Sequence, residues 1–241
     1  MLNNFDPKIL VKKEHYELIA DYFRYLETGL KHYAKENIET PIKKQKLELL
    51  EKALRKDYSQ KNSLVSRLQQ EFLQNNLSLY LLLDPLYAWR YLASGKVFSS
   101  EAQISEFSNL FLSPFARMIM ALYDENPATY LPLSSLFSAF FLLDILQNNS
   151  PLKVKIKLSK RQKISKIRGL IKNAQIILSL VSSKRLKFKL ALAVNQAKIK
   201  LKKAENNEQP KIGILDSFLI FLYSIWQFAS VKHKTLEKIK V

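Results

Sequence analysis

Residues Glu106 to Asn149 read EFSNLFLSPFARMIMALYDENPATYLPLSSLFSAFFLLDILQNN, and this stretch decides the fold. Two long apolar runs flank a segment from Asp124 to Pro132 that is rich in turn-forming residues. Within the runs apolar side chains recur at helical spacing and do not alternate, so the stretch predicts two helices joined by a loop.

The same reading extends outward. Leu47, Leu50 and Leu54 form one apolar stripe among lysines and glutamates, and Ile164, Ile167, Ile171 and Leu178 form another. Only Val154 to Leu158 (VKIKL) alternates, and after Pro151 it reads as a helix entrance or a short extended piece. Turn signals at Asn37–Pro41, Asn75–Leu77, Ser94–Gly95, Asn148–Pro151, Ser182–Ser183 and Asn206–Gly213 divide the chain into about eight helices. None is long enough for an interdomain linker, so residues 1–241 are expected to form a single all-α domain. The chain has 241 residues and 47 % hydrophobic content, enough for one sizeable core. Four glycines are too few for a turn-rich β fold or a glycine-rich phosphate loop. With no cysteine, disulfides, thiolate nucleophiles and cysteine-ligated zinc are excluded.

The block from Glu106 to Asn149 resembles squalene and phytoene synthases, which carry D-Y-C-x-x-S-A-x-P-V-G-R, a loop, then A-L-Q-L-x-N-hydrophobic-x-R-D-V-x-x-D. Glu106, Phe107 and Ser108 take the places of D-Y-C, and Ser113, Pro114, Phe115, Ala116 and Arg117 those of x-P-V-G-R. Ala139 to Asp144 fall on A-L-Q-L-x-N, and Gln147 and Asn148 on R-D. The resemblance implies an isoprenoid-synthase-like helical bundle around a central cavity. It also implies two facing aspartate-rich helices whose magnesium ions grip a prenyl diphosphate. Magnesium demands hard, charged oxygen ligands. Here Asn148 stands at the first aspartate of the second motif and Leu152 at the last, which leaves Asp144, at an asparagine place, as the acid nearby.

The family's first motif, F-x-R-x-x-D-D-x-x-D, is matched by Tyr22 to His32 (YFRYLETGLKH). Aligned on Arg24, Glu27 takes the first acid, Thr28 the second and Lys31 the last, so a cation falls on a ligand place. Leu81 to Phe98 resembles L-L-x-A-F-x-x-D-x-x-x-x-R-Y, with Trp89 and Phe98 on aromatic places and Leu92 where an aspartate belongs. Lys184 to Glu205 resembles a later helix of the family. By this resemblance Arg24, Glu27, Asp144, Asn148 and Arg117 mark diphosphate or metal-motif positions, and Trp89, Phe115, Phe140 and Phe141 are cavity-lining candidates. Arg117 could equally close an internal ion pair, and the aromatics could equally be plain core.

Charge is uneven. Between Ile145 and Ala204 there is no acidic residue but about seventeen lysines and arginines, against a formal net charge of +18. Such a surface attracts anions, and Lys160, Arg161 and Lys163 in its most charged part are the candidates for anionic-membrane contact. A compositional preference for lysine, asparagine and isoleucine offers a non-functional explanation of part of this charge. Ser217 to Val231 (SFLIFLYSIWQFASV) is uncharged but shorter than a bilayer span, and reads as a buried helix rather than an in-plane membrane contact. MLNNFDPKILVKKEHYEL has neither a signal-peptide core nor transit-peptide character, so the expectation is a cytoplasmic protein with a peripheral membrane role. His15, His32 and His233 lack metal-ligand spacing.

Together these readings imply a squalene/phytoene-synthase-like protein that has lost most of its acidic motifs: a non-catalytic prenyl-lipid binder needing no cofactor. Prenyl lipids or diphosphates, an anionic membrane and a protein partner are the expected partners. The family offers a precedent in a non-enzymatic assembly factor of mitochondrial complex I. One alternative is an active head-to-head prenyltransferase using magnesium. Another is a basic nucleic-acid-binding module, disfavoured because aromatic and basic residues are not interleaved in a recognisable motif.

Overall fold

The computed structural model describes residues 6–33, 38–55, 63–95, 98–146, 157–208, 212–213 and 215–225. Nine α-helices are bounded among them: α1 (Tyr16–Tyr33), α2 (Thr40–Arg55), α3 (Leu64–Gln74), α4 (Tyr80–Ala93), α5 (Glu101–Ala121), α6 (Tyr130–Leu146), α7 (Lys160–Gln175), α8 (Ile177–Leu180) and α9 (Lys184–Glu205). A further helical segment, α10, covers residues 215–225. The fold is all-α, as the spacing of apolar residues requires.

Serines start four of these helices. Ser63, Ser100, Ser159 and Ser183 each accept a backbone N–H of the first turn of α3, α5, α7 and α9, and Gln162 completes a capping box with Ser159. Left-handed residues follow the ends of α3, α5 and α9, where Asn76, Asp124 and Asn207 have φ of 53°, 53° and 57°, and of α4, where Gly95 stands at 68°. Three boundaries differ from the sequence reading. Pro41 and Pro132 lie in the first turns of α2 and α6, where a missing N–H costs nothing, and a turn at Ile176 splits off α8. Lys157 donates its backbone N–H to the Phe98 carbonyl (2.9 Å), the described part of the short extended piece; residues 154–156 lie outside the described residues.

Helix α6 sits at the centre, against α5, α7 and α9. From Leu136 to Ile145 every side chain is buried. That burial explains why the segment lacks the one-sided pattern of a surface helix. Antiparallel to it, α5 contributes Phe115 against Phe137 and Phe107 against Phe141, with ring centroids 4.7 and 5.8 Å apart. Ser113 and Ser134 satisfy each other across this contact at 2.9 Å.

Helix α1 packs on α3 and α4. Pro85 inside α4 has no N–H to offer the carbonyl of Leu81 one turn back. The Tyr22 hydroxyl donates to that carbonyl instead, at 2.8 Å, and Tyr25 donates to the next, Leu82, at 2.8 Å. One turn beyond Tyr25, Gly29 lets the α1 backbone lie directly on the Trp89 indole.

Candidate functional site

A cavity of about 530 Å³ opens where the turn after α3 meets the start of α4, the end of α5 and the start of α6. Leu77, Leu81, Met120 and Ala121 give it apolar walls, and Arg117 supplies a cation. Arg117 projects from the last full turn of α5. Its guanidinium lies 4.6 Å from the Tyr130 ring centroid, its Nη2 donates to the Tyr130 hydroxyl (3.4 Å), and its Nη1 donates to Asp84 (3.3 Å). Partial burial raises the Asp84 carboxyl above its ordinary range, while Arg117 pulls it back. The side chain of Arg117 remains 45 % exposed, so a ligand can reach it.

Glu125, on the same rim, is already committed. Its carboxylate accepts the backbone N–H of Ser182 (2.9 Å), the Ser182 hydroxyl (2.9 Å) and the backbone N–H of Ser183 (2.6 Å), which fixes the entrance of α9. Burial alone would raise its pKa, but these donors hold it below the usual carboxylate range.

Asp144 lies at the other end of α6. Fourteen residues at 1.5 Å each separate it from Tyr130 by roughly 21 Å. The structure therefore does not bring Arg117 and Asp144 together. Asp144 is fully buried, and its charge acts on Lys200 of α9, itself 5 % exposed. Burial holds the Lys200 amine down to about 8, against the opposing pull of the Asp144 carboxylate. Lys200 had a signal in the sequence: it falls on the apolar stripe of Ala193, Ala197 and Ala204.

Arg24 and Glu27 sit on α1. Arg24 is bound to Asp21 (2.8 Å), which also meets Arg67 of α3 (3.3 Å), an arrangement that ties α1 to α3 at the surface. Glu27 pairs with Lys31 one turn on (3.1 Å). Partial burial would raise the Glu27 carboxyl, yet Lys31 helps to keep it below its usual range. Asn148 lies outside the described residues. Trp89, Phe115, Phe140 and Phe141 are all buried. Trp89 packs against Tyr25 and Tyr33, and Phe115 against Tyr22, Phe23 and Phe137. None of the four is among the residues around the Arg117 cavity.

Among the described residues no three His, Cys, Asp or Glu side chains gather as a metal-binding group. At the two acidic motif positions, Glu27 and Asp144, each carboxylate has a lysine within its field. This donor set does not fit magnesium, which needs several anionic oxygens turned to one point.

Lys160, Arg161 and Lys163 occupy the first turn of α7. Lys160 and Arg161 are exposed and Lys163 half-buried, and the Lys160 ammonium bonds Asn207 just past the end of α9.

No protein-family model and no curated protein matches the chain. A crystal structure of a dehydrosqualene synthase in complex with ligand matches 98 % of this chain and 90 % of its own at 16 % identity, with a TM-score of 0.54. The likeness shows the fold: an all-helical arrangement of the kind seen in that synthase.

Proposed function

We propose that the chain is a squalene/phytoene-synthase-like protein that binds a prenyl lipid or prenyl diphosphate without transforming it. The observation that carries this reading is Asp144, the acid of the second motif, fully buried on α6 with its charge acting on the buried Lys200 of the α9 helix packed against it. A fixed internal ammonium there supplies the positive charge that a metal would bring, but cannot exchange its ligands with a diphosphate. The fold likeness supports a prenyl-type ligand, since the similar structure is a dehydrosqualene synthase holding a ligand. The cavity beside Arg117 suits a molecule with an apolar body and one anionic head. Such lipids live in membranes, which fits a cytoplasmic protein working at a membrane surface.

The test is to titrate the protein with geranylgeranyl diphosphate, with and without magnesium, and to analyse the hydrocarbon extract. Saturable binding that weakens in Arg117→Ala, with no squalene- or phytoene-like product, is the expected result. Magnesium-dependent product that disappears in Asp144→Ala would establish an active prenyltransferase instead.

A further inference from the structure

The run Ser217–Val231, expected to be a buried helix, is described as far as residue 225, and that part of it lies at the surface; residues 226–231 lie outside the described residues. Along residues 215–225 only Ile220 and Ser224 are buried, and Asp216 is intermediate, one stripe at four-residue spacing. That stripe faces α9: Asp216 pairs with Lys203, and the Asn195 side chain donates to the Ser224 hydroxyl at 3.0 Å. Leu215, Phe218, Leu219, Phe221, Leu222, Tyr223 and Ile225 are exposed, Phe218 at 58 % and Tyr223 at 56 %. An uncharged apolar surface this continuous is costly in water.

Its surroundings define what it meets. Glu208 lies just past the end of α9 and Gly213 just before α10, and Lys203 holds the entrance of α10 through Asp216. Lys160 reaches Asn207 just past the end of α9, and Lys203 one turn earlier on α9 reaches Asp216, so the basic start of α7, with Arg161 and Lys163, and the entrance of α10 both lie at the end of α9. Lys202 is exposed on the last turn of α9. Glu205 and Glu208 also stand there, Glu205 paired with Arg168, but cations predominate; an apolar helix bordered mainly by lysines and arginines matches an anionic bilayer, whose headgroups take the cations while its acyl chains take the aromatics and leucines. Even as a helix of 1.5 Å per residue, the uncharged run Ser217–Val231 would be about 22 Å long, against roughly 30 Å of hydrocarbon, which favours lying in the plane over crossing. A second copy of the chain is a poor occupant, because a two-fold contact through α10 would set the same basic border against itself.

We propose that α10, with Lys160, Arg161, Lys163 and Lys202, docks the protein in the plane of an anionic lipid bilayer. Docking deepens the prenyl-lipid reading but is tested without it, in vesicles that contain no prenyl compound. The chain has no cysteine, so Leu222→Cys carries a polarity-sensitive fluorophore at one site. The label is followed with phosphatidylcholine vesicles, and with phosphatidylcholine–phosphatidylglycerol vesicles, at low and high salt. The expected result is a blue shift and co-flotation with the anionic vesicles, released by salt. Phe218→Ser with Leu222→Ser lowers the bound fraction roughly ten-fold, with an unchanged circular dichroism spectrum. Lys160→Glu, Arg161→Glu and Lys163→Glu together abolish the preference for anionic over neutral vesicles. No flotation, flotation unaffected by the Phe218→Ser, Leu222→Ser pair, or a blue shift that grows with protein concentration in the absence of vesicles would overturn the proposal. The last of these would assign α10 to a contact between copies.

Discussion

The Tyr22 hydroxyl donates to the carbonyl of Leu81, the acceptor that Pro85 cannot serve from within α4. A buried carbonyl without a donor costs about 1–3 kcal/mol. Tyr22→Phe is therefore expected to lower the unfolding free energy by about that much in a urea titration. In a Pro85→Ala background, residue 85 regains its N–H and the cost of Tyr22→Phe should shrink. An equal cost in both backgrounds would detach the two residues from each other.

Gly29 and Trp89 make the second test. A Cβ on Gly29 would stand 2.2 Å from the indole Cε2 and Cζ2, within the hard core of a rigid ring. Gly29→Ala gains up to about 1 kcal/mol of helix propensity. Overpacking of this kind typically costs about 1–3 kcal/mol, so the net expectation is a destabilised protein with a lower melting temperature. Adding Trp89→Phe should recover much of the loss, since phenylalanine lacks the second ring. That change also removes the indole N–H, which has no partner in the core.

Lys200 gives a pH dependence with a defined sign. Its folded-state pKa, about 8, lies below the ordinary lysine value of 10.5, so between these limits the unfolded chain holds a proton that the folded chain has released. Stability attributable to this group therefore rises with pH across that window, and the cost of its buried charge is present in full below it. Relative to a Lys200→Met variant, the wild-type unfolding free energy should climb by roughly 2 kcal/mol from pH 8 to pH 10. The slope is the readout, because removing the lysine also changes the surroundings of Asp144. Parallel pH profiles for the two proteins would contradict the assignment.

The fold was legible because its helices announce themselves locally: leucines and isoleucines at one-turn spacing, serines at the starts, asparagines and an aspartate at the stops. Ile176, Pro41 and Pro132 escaped, since a tight turn between two helical stretches and a proline in a first turn leave no mark that separates them from a loop. Helix α10 escaped for another reason. An uncharged run of aromatics and leucines looks the same whether it is wrapped by protein or laid on the surface, and only tertiary packing tells which.

At the site, residue types alone set Thr28, Lys31, Asn148 and Leu152 at places where the resembled family carries acids. The Glu27–Lys31 pair follows from i,i+4 geometry. Asp144 and Lys200 lie 56 positions apart, and no local rule couples them; the packing of α9 on α6 does. The Arg117 cavity is likewise a meeting of two stretches distant in sequence, Asn76–Leu81 and Arg117–Tyr130, of which the quoted block covers only the second.

Helix α6 has no outward face along Leu136–Ile145. Its backbone amides can meet water only when α5, α7 and α9 let go of it together. In deuterium exchange those amides should be the last to exchange, at a rate set by global opening, while α10, held along one stripe, should exchange early through its own local fraying. The molecule then divides into a slow centre and a fast rim, and ligands gripping the rim would leave the slowest amides untouched.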